Sequence, residues 1–331
     1  MRYNYCTLFD KGFLNRGLAL YNSVLKYHKE PFRHFILCLD DETYGILKKM
    51  NLAHVTLVSM KEFENEELLA MKKTRSFREY CWSLSSIFTY YVLEHFPDSE
   101  MVTYLDADLF FFASPEKVFA DFKAGGDRSI LIIPHNLPLS QKKKEDSVGK
   151  YNVGMLIFKN NENGRACLIW WKDRCMEWCY EKVEPERFGD QKYLDYFEEK
   201  FKGVFVYRHK GADLAGWNIM NYTGKIKKRN GMVLIDGDPL IFFHFSQFKL
   251  YYPPSRWLPS GPSNLYGYFM PSVEKELIYR HYTEALYGAM EQIQKIMPAF
   301  TDGMIPRPGM YAQIKEIVAP PLRRFLRNKL R

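Results

Sequence analysis

The chain has no uninterrupted apolar stretch near the roughly 20 residues that a membrane-spanning helix needs. Its opening, Met1-Arg2-Tyr3-Asn4-Tyr5-Cys6, carries no basic-then-apolar export pattern. A cytoplasmic location is therefore expected. Cysteine is sparse, at six in 331 residues. Cys175 and Cys179 stand one helical turn apart, and Cys6, Cys38, Cys81 and Cys167 sit in apolar runs, so the spacing supplies neither a zinc site nor a disulfide framework. Buried thiols in a reduced compartment fit better. There is no internal repeat, low-complexity tract or recognised nucleic-acid module, and no basic stripe interleaved with aromatics, which argues against nucleic acid as a partner.

What is present fits a folded globular protein, with 47% hydrophobic and 26% charged residues. The length allows one elaborated domain or a domain with an appendage. A net charge of +8 suits phosphate-bearing ligands or anionic lipid. Part of that charge is concentrated at the end, in Arg323, Arg324, Arg327, Lys329 and Arg331, while Leu322, Phe325, Leu326 and Leu330 recur at helical spacing. Such a tail can lie on an anionic membrane surface, peripheral to the inner face of the cytoplasmic membrane. A solvated, frayed terminus is the alternative, and both readings stay open.

The first half alternates short β-rich runs with helical patterns, which predicts an α/β fold with a mixed, mostly parallel sheet flanked by helices. Strands are expected near 3–9, 34–39, 54–58, 101–105, 130–133 and 151–158, and helices near 15–28, 42–50, 78–96, 164–180 and 191–201. Another helix is expected after Ser114-Pro115, with Ser as cap and Pro in the first turn. The stretch 134–150, with Lys142-Lys143-Lys144, reads as a solvated loop. A hairpin over 232–245 is expected to complete the sheet. Pro253-Pro254, Pro259 and Pro262 mark a boundary between a main domain over 1–255 and a C-terminal helical appendage over 256–331.

Two Asp-x-Asp spellings occur, and roughly one is expected by chance in a chain this long. Position separates them. Asp106-Ala107-Asp108 follows the apolar run Met101-Val102-Thr103-Tyr104-Leu105, at the carboxyl end of a buried strand, where two carboxylates can share a divalent cation that grips a diphosphate. Asp236-Gly237-Asp238 lies between two apolar runs and reads as a hairpin turn, with Gly supplying positive φ.

Further short motifs fall in a fixed order: Thr7 and Asp10 before Tyr21-Asn22-Ser23-Val24-Leu25, then Tyr104-Leu105-Asp106-Ala107-Asp108, Tyr151-Asn152-Val153-Gly154-Met155, Gly189-Asp190-Gln191, Trp217-Asn218 and His244-Phe245-Ser246-Gln247-Phe248-Lys249. Over about residues 1–252 this set resembles the GT-A fold glycosyltransferases, nucleotide-diphospho-sugar transferases. It is most similar to glycosyltransferase family 8 and related bacterial enzymes of surface polysaccharide or lipopolysaccharide synthesis.

The resemblance implies a hexosyltransferase that moves a hexose from a nucleotide-sugar donor, UDP-linked, to a glycan or lipid-linked glycan acceptor, with retention. It implies Mn²⁺, or Mg²⁺ in its place, held by Asp106, Asp108 and His244. Thr7 and Asp10 would meet the nucleoside, Arg78 and Lys249 the diphosphate, Ala107, Asn152 and Gly154 the donor, and Trp217 and Asn218 the acceptor. Asp190 and Gln191 would face the anomeric carbon. The His-motif departs from the family, which has Gly after the His and a later Lys. Plainer readings stand beside these: a strand-end turn for Asp10, a strand bulge for Asn152 and Gly154, a helix cap for Asp190, an exposed helix charge for Arg78 and a partly buried histidine for His244. An inverting enzyme would need a carboxylate base, with Asp213 or Asp190 as candidates. Trp217 and Trp257 are candidate sugar platforms. A sugar nucleotidyltransferase is the first rival, disfavoured because no Gly-rich phosphate loop with adjacent Arg and Lys opens the chain. A catalytically degenerate GT-A domain that binds glycan or a partner is the second.

Overall fold

The computed structural model describes residues 3–252, 261–262, 272–307 and 309. Trp257, Pro253, Pro254, Pro259 and the basic tail from Leu322 to Arg331 lie outside the described residues.

The chain opens on β1 (Tyr3–Phe9), every residue of which is buried. A strand covered on both faces needs no polar alternation, which is why it reads as an almost continuous apolar run. Helix α1 (Leu14–Tyr27) returns the chain to β2 (Phe32–Cys38), and α2 (Asp41–Met50) leads to β3 (Val55–Ser59). Asp40 caps α2 by accepting from Thr43 N at 2.6 Å, and Asn51 ends it in the left-handed region at φ 47°. Gly17 lets α1 lie close on the sheet, since a Cβ there would fall 2.2 Å from Phe9 Cε1.

Helix α3 (Phe77–His95) starts on a capping box between Ser76 and Glu79 and stops before Pro97. It delivers the chain to β4 (Met101–Leu105), which is followed by β5 (Leu109–Phe111), α4 (Glu116–Lys123), β6 (Ile130–Pro134), β7 (Tyr151–Lys159), α5 (Glu162–Glu177) and β8 (Val204–Val206). The main sheet has the order β3-β2-β1-β4-β7-β6-β8. Only β7 runs against its neighbours, β4 and β6; the other pairings are parallel. The expected mixed, mostly parallel sheet between helices is therefore the observed one. Phe88, Phe158, Trp171 and Phe197 fill one side of the sheet, and Tyr5, Leu18, Phe119 and Phe242 the other.

The later strands depart from expectation. After β9 (Leu214–Ala215) come β10 (Ile226–Arg229), β11 (Met232–Ile235) and β12 (Asp238–Pro239), a small antiparallel sheet of its own, and then β13 (Phe242–His244). Asp236 and Gly237 take φ of 51° and 95°, the two positive values of a type I′ turn, so the second Asp-x-Asp is the turn that its spelling suggests. The expected hairpin does not complete the main sheet, however. The hairpin ladder carries on past Pro239 to Leu240 N, which donates to Val233 O at 2.8 Å, and β13 then joins β5 and β9 in a second three-stranded sheet. Residues 191–201 form a 3-10 turn (Lys192–Tyr196) and one short helical turn rather than a helix, and 134–150 contains a 3-10 segment (Leu139–Lys144). Helix α6 (Arg280–Ile296) packs Tyr282, Leu286 and Ile293 into the core side that holds α1, with Tyr282 stacked on Phe245 at 3.7 Å between ring centroids. No helix among the described residues is long and apolar enough to cross a membrane.

Candidate metal centre at the sheet edge

Asp106 and Asp108 occupy the tight connection between β4 and β5. Asp106 N donates to Gly154 O of β7 at 2.9 Å, and Leu109 N donates back to Asp106 O at 3.1 Å, which pins the turn at the carboxyl end of β4. β5 pairs antiparallel with β13, His244 opposite Leu109, and Phe245 N donates to Asp108 O. The second sheet thus brings a histidine from 136 positions later in the chain beside the two aspartates. His244 Nε2 lies 3.1 Å from Asp108 Oδ1 and 3.6 Å from Asp106 Oδ2. One donor atom from each of the three lies within 4.8 Å of the others.

Electrostatics bind this cluster together. Burial pushes Asp106 up to about 6, with repulsion from Asp108 adding to it and His244 offsetting part of it. Burial acts on Asp108 in the same direction, but the charge and hydrogen bond of His244 outweigh it and hold the carboxyl below its ordinary value. Burial disfavours a charged His244, yet Asp108 and Asp213 keep it well above the usual imidazole range. The ring sits between carboxylates, at a place that favours positive charge. Two hard carboxylates and one imidazole, converging at the edge of a sheet, could hold a divalent ion.

Of the other expected residues, Gly154 and Trp217 adjoin His244, and Asp190 is close enough to Asp106 to repel it. Tyr104 OH donates to Asp106 Oδ1 at 2.9 Å. Asn152 Oδ1 accepts from Gly154 N at 2.6 Å, and a Cβ on Gly154 would fall 2.7 Å from His244 Nδ1, so the small residue leaves room for the imidazole. Asp190 is buried and accepts from Ser85 Oγ at 2.8 Å, while Trp171 Nε1 holds its backbone carbonyl. It caps no helix. Burial, with Asp106 adding repulsion, raises Asp190 to about 7. Gln191 donates to Val148 O. Ala107 is buried between the aspartates. Trp217 is buried, donates from Nε1 to His135 O and meets the His244 ring edge-on at 5.0 Å. Asn218 spends its amide on His135 O, Asp213 O and Ala215 N, which makes it a clamp on the 213–218 turn.

The remaining candidates have other partners or are enclosed. Arg78 is exposed and paired with Glu181 at 2.8 Å. Thr7 is fully buried and its hydroxyl has no hydrogen-bond partner. Asp10 caps the turn after β1 by accepting from Phe13 N, and burial together with Asp40 raises its pKa. Lys249 pairs with Gly261 in a two-residue strand beyond the Gln247 turn. One neighbour was not foreseen from the sequence, and another entered only as a candidate base. Arg16 of α1 is buried, donates to Phe248 O at 3.0 Å and lowers Asp108 by its charge; a charge inside an apolar helix was its only signal. Asp213 lies 3.4 Å from His244 Nδ1.

No protein-family model matches the chain. It is 38% identical over 253 residues to the uncharacterized protein YfnF of Bacillus subtilis (strain 168), a match that covers 74% of this chain and 82% of that protein. To YfnD of the same organism, likewise described as uncharacterized, it is 33% identical over 309 residues, covering 92% and 95%. Among solved structures, the galactosyltransferase LgtC in complex with donor and acceptor sugar analogs aligns at a TM-score of 0.51 and 15% identity, over 86% of this chain and 95% of that one. The fold is thus that of the GT-A glycosyltransferases.

Proposed function

The chain belongs to the family of YfnF and YfnD of Bacillus subtilis (strain 168), and from the GT-A fold and the cluster at its sheet edge we propose that it is a metal-dependent glycosyltransferase. In this reading it moves a hexose from a UDP-sugar to a glycan or lipid-linked glycan acceptor, with retention, as the enzymes of glycosyltransferase family 8 do. The observation that carries the proposal is the convergence of Asp106, Asp108 and His244 within 4.8 Å at the end of β4. Bound there, Mn²⁺ would supply positive charge to the departing diphosphate.

The protein's own groups do the rest. Breaking the bond between the anomeric carbon and the diphosphate leaves positive charge on the sugar ring. Asp190, oriented by Ser85, and Gln191 are the electron-rich groups proposed to face it. Asn152 and Gly154 form the wall against which the sugar lies, and Asp10 with Thr7 marks the nucleoside side. Arg78 would leave Glu181 to pair with phosphate, a planar fork suited to that partner. Lys249 is proposed for the diphosphate, and Trp217 and Asn218 for the acceptor side. The acceptor hydroxyl bonds to the anomeric carbon on the face the diphosphate leaves, and its proton passes to the departing phosphate oxygen. A cytoplasmic enzyme held at an anionic membrane surface by residues 322–331 completes the proposal.

A screen of nucleotide sugars with Mn²⁺ tests it. One donor is expected to release UDP. Release of pyrophosphate from a sugar phosphate and a nucleoside triphosphate, or turnover of no donor at all, would contradict the reading.

A further inference from the structure

We infer that Asp213 is the positioning residue that aims His244 at the metal, an inference that rests on the metal-site reading above. Asp213 is 1% exposed, and neither of its carboxylate oxygens makes a well-aligned hydrogen bond. A buried carboxylate in that condition is expensive and persists where something uses it. His244 Nδ1, also without a well-aligned hydrogen bond, lies 3.4 Å from Asp213 Oδ1. An unsatisfied acceptor and an unsatisfied ring nitrogen therefore face each other.

The two nitrogens of an imidazole point away from one another across the ring. Once a divalent ion takes the place of the Nε2 proton, a proton fixed on Nδ1 by Asp213 would keep the Nε2 lone pair for that ion, on the side where Asp108 and Asp106 lie 3.1 and 3.6 Å away. The same placement puts Asp213 behind the ring, on the side away from the two aspartates, and so removes it as the acceptor base of an inverting enzyme. The backbone is built to hold it there. Leu214 and Ala215 pair with Phe243 and His244, which sets the register between the two side chains. Asp213 itself takes φ 55°, a left-handed conformation that Asn218 supports by donating to Asp213 O and accepting from Ala215 N. Backbone held in this region clusters where geometry serves a site.

The positive φ also decides the test, because Gly and Asn are the residues that enter the left-handed region most readily. Asp213→Asn keeps the shape and one acceptor oxygen but loses the charge; Asp213→Gly removes the acceptor. Mn²⁺ affinity of the full chain, measured by calorimetry on protein shown to be folded by circular dichroism, is expected to fall in the order wild type, Asn, Gly. The total loss is expected to be about 10- to 100-fold. With Zn²⁺ as a diamagnetic probe, nitrogen NMR of the wild type should show the His244 proton on Nδ1, and that signal should shift in both variants, which a residue acting only through packing would not produce. If Asp213→Gly does not fold, the weaker binding of Asp213→Asn carries the test. Equal affinities with an unchanged Nδ1 signal would overturn the assignment of Asp213 alone. A wild-type chain that takes up no Mn²⁺ would overturn the metal-site reading, and this assignment with it.

Discussion

Gly154→Ala is the substitution whose effect can be worked furthest from the geometry. The added Cβ would lie 2.5 Å from Asn152 Oδ1, 2.7 Å from His244 Nδ1 and 3.0 Å from His244 Cε1, where ordinary contact begins at 3.4 Å. The imidazole would therefore have to give way by about 0.7 Å, the shortfall at Nδ1. It has little room to do so: Trp217 lies edge-on against it, Asp213 stands at Nδ1, and its backbone is paired with Leu109 on one side and Ala215 on the other. Overpacking of this kind costs about 1–3 kcal/mol. For a chain of this length the unfolding entropy is roughly 0.7 kcal/mol per degree, so the melting temperature should drop by about 1–4 °C. The effect on metal is larger, because ligand distances tolerate only about 0.2 Å. Mn²⁺ affinity by calorimetry is expected to fall at least about tenfold, in the range seen when a metal-ligating histidine loses its support. Wild-type melting together with wild-type Mn²⁺ affinity would refute the reasoning, since the ring above Gly154 would then not be the ligating one.

Other outcomes follow from the same geometry. Asp190 is raised to about 7 in the folded, metal-free protein, so the stability associated with its proton is complete below the unfolded carboxylate value near 4 and is lost as pH rises to about 7. Asp190→Asn should remove that slope, so that urea unfolding in EDTA shows the variant gaining on wild type by the order of 4 kcal/mol between pH 4 and pH 8; parallel curves would show that the carboxyl is ionised throughout. Asp238→Ala, in the second Asp-x-Asp, should leave Mn²⁺ affinity unchanged, and a tenfold loss would move the metal to that turn. Arg78→Ala breaks an exposed pair and should change stability by less than about 1 kcal/mol. If Arg78 leaves Glu181 for the donor, the same variant raises the KM for nucleotide sugar, and an unaltered KM would confine it to the ion pair.

The elements that frame the site were legible because their patterns are local. β1, β4 and β7 are apolar runs that a twice-covered sheet requires, α1 and α3 carry helical periodicity with clear stops, and Asp236-Gly237 has the spelling of its turn. The placement of β13 was not legible. It shares a sheet with β5, about 130 residues earlier, and with β9, and no local pattern encodes such a pairing. Asp106 and Asp108 could be picked out by their position at a strand end, and His244 by the order of motifs. Asp213 could not be linked to His244, since that contact depends on the register of β9 against β13. Likewise, Arg78 and Arg75 look alike in sequence as helix-start cations. Tertiary structure divides them: Arg75 is buried against Ser83 and Met176, and Arg78 reaches Glu181 at the surface.

In the proposed mechanism Asp106, Asp108 and His244 hold a divalent cation on which a nucleoside diphosphate is gripped. Calorimetric titration of UDP into wild type and Asp108→Ala, each with and without Mn²⁺, tests it most directly. UDP binding to wild type is expected to depend on Mn²⁺ and to disappear in Asp108→Ala. Binding that persists in the variant, or that ignores Mn²⁺ in the wild type, would contradict it.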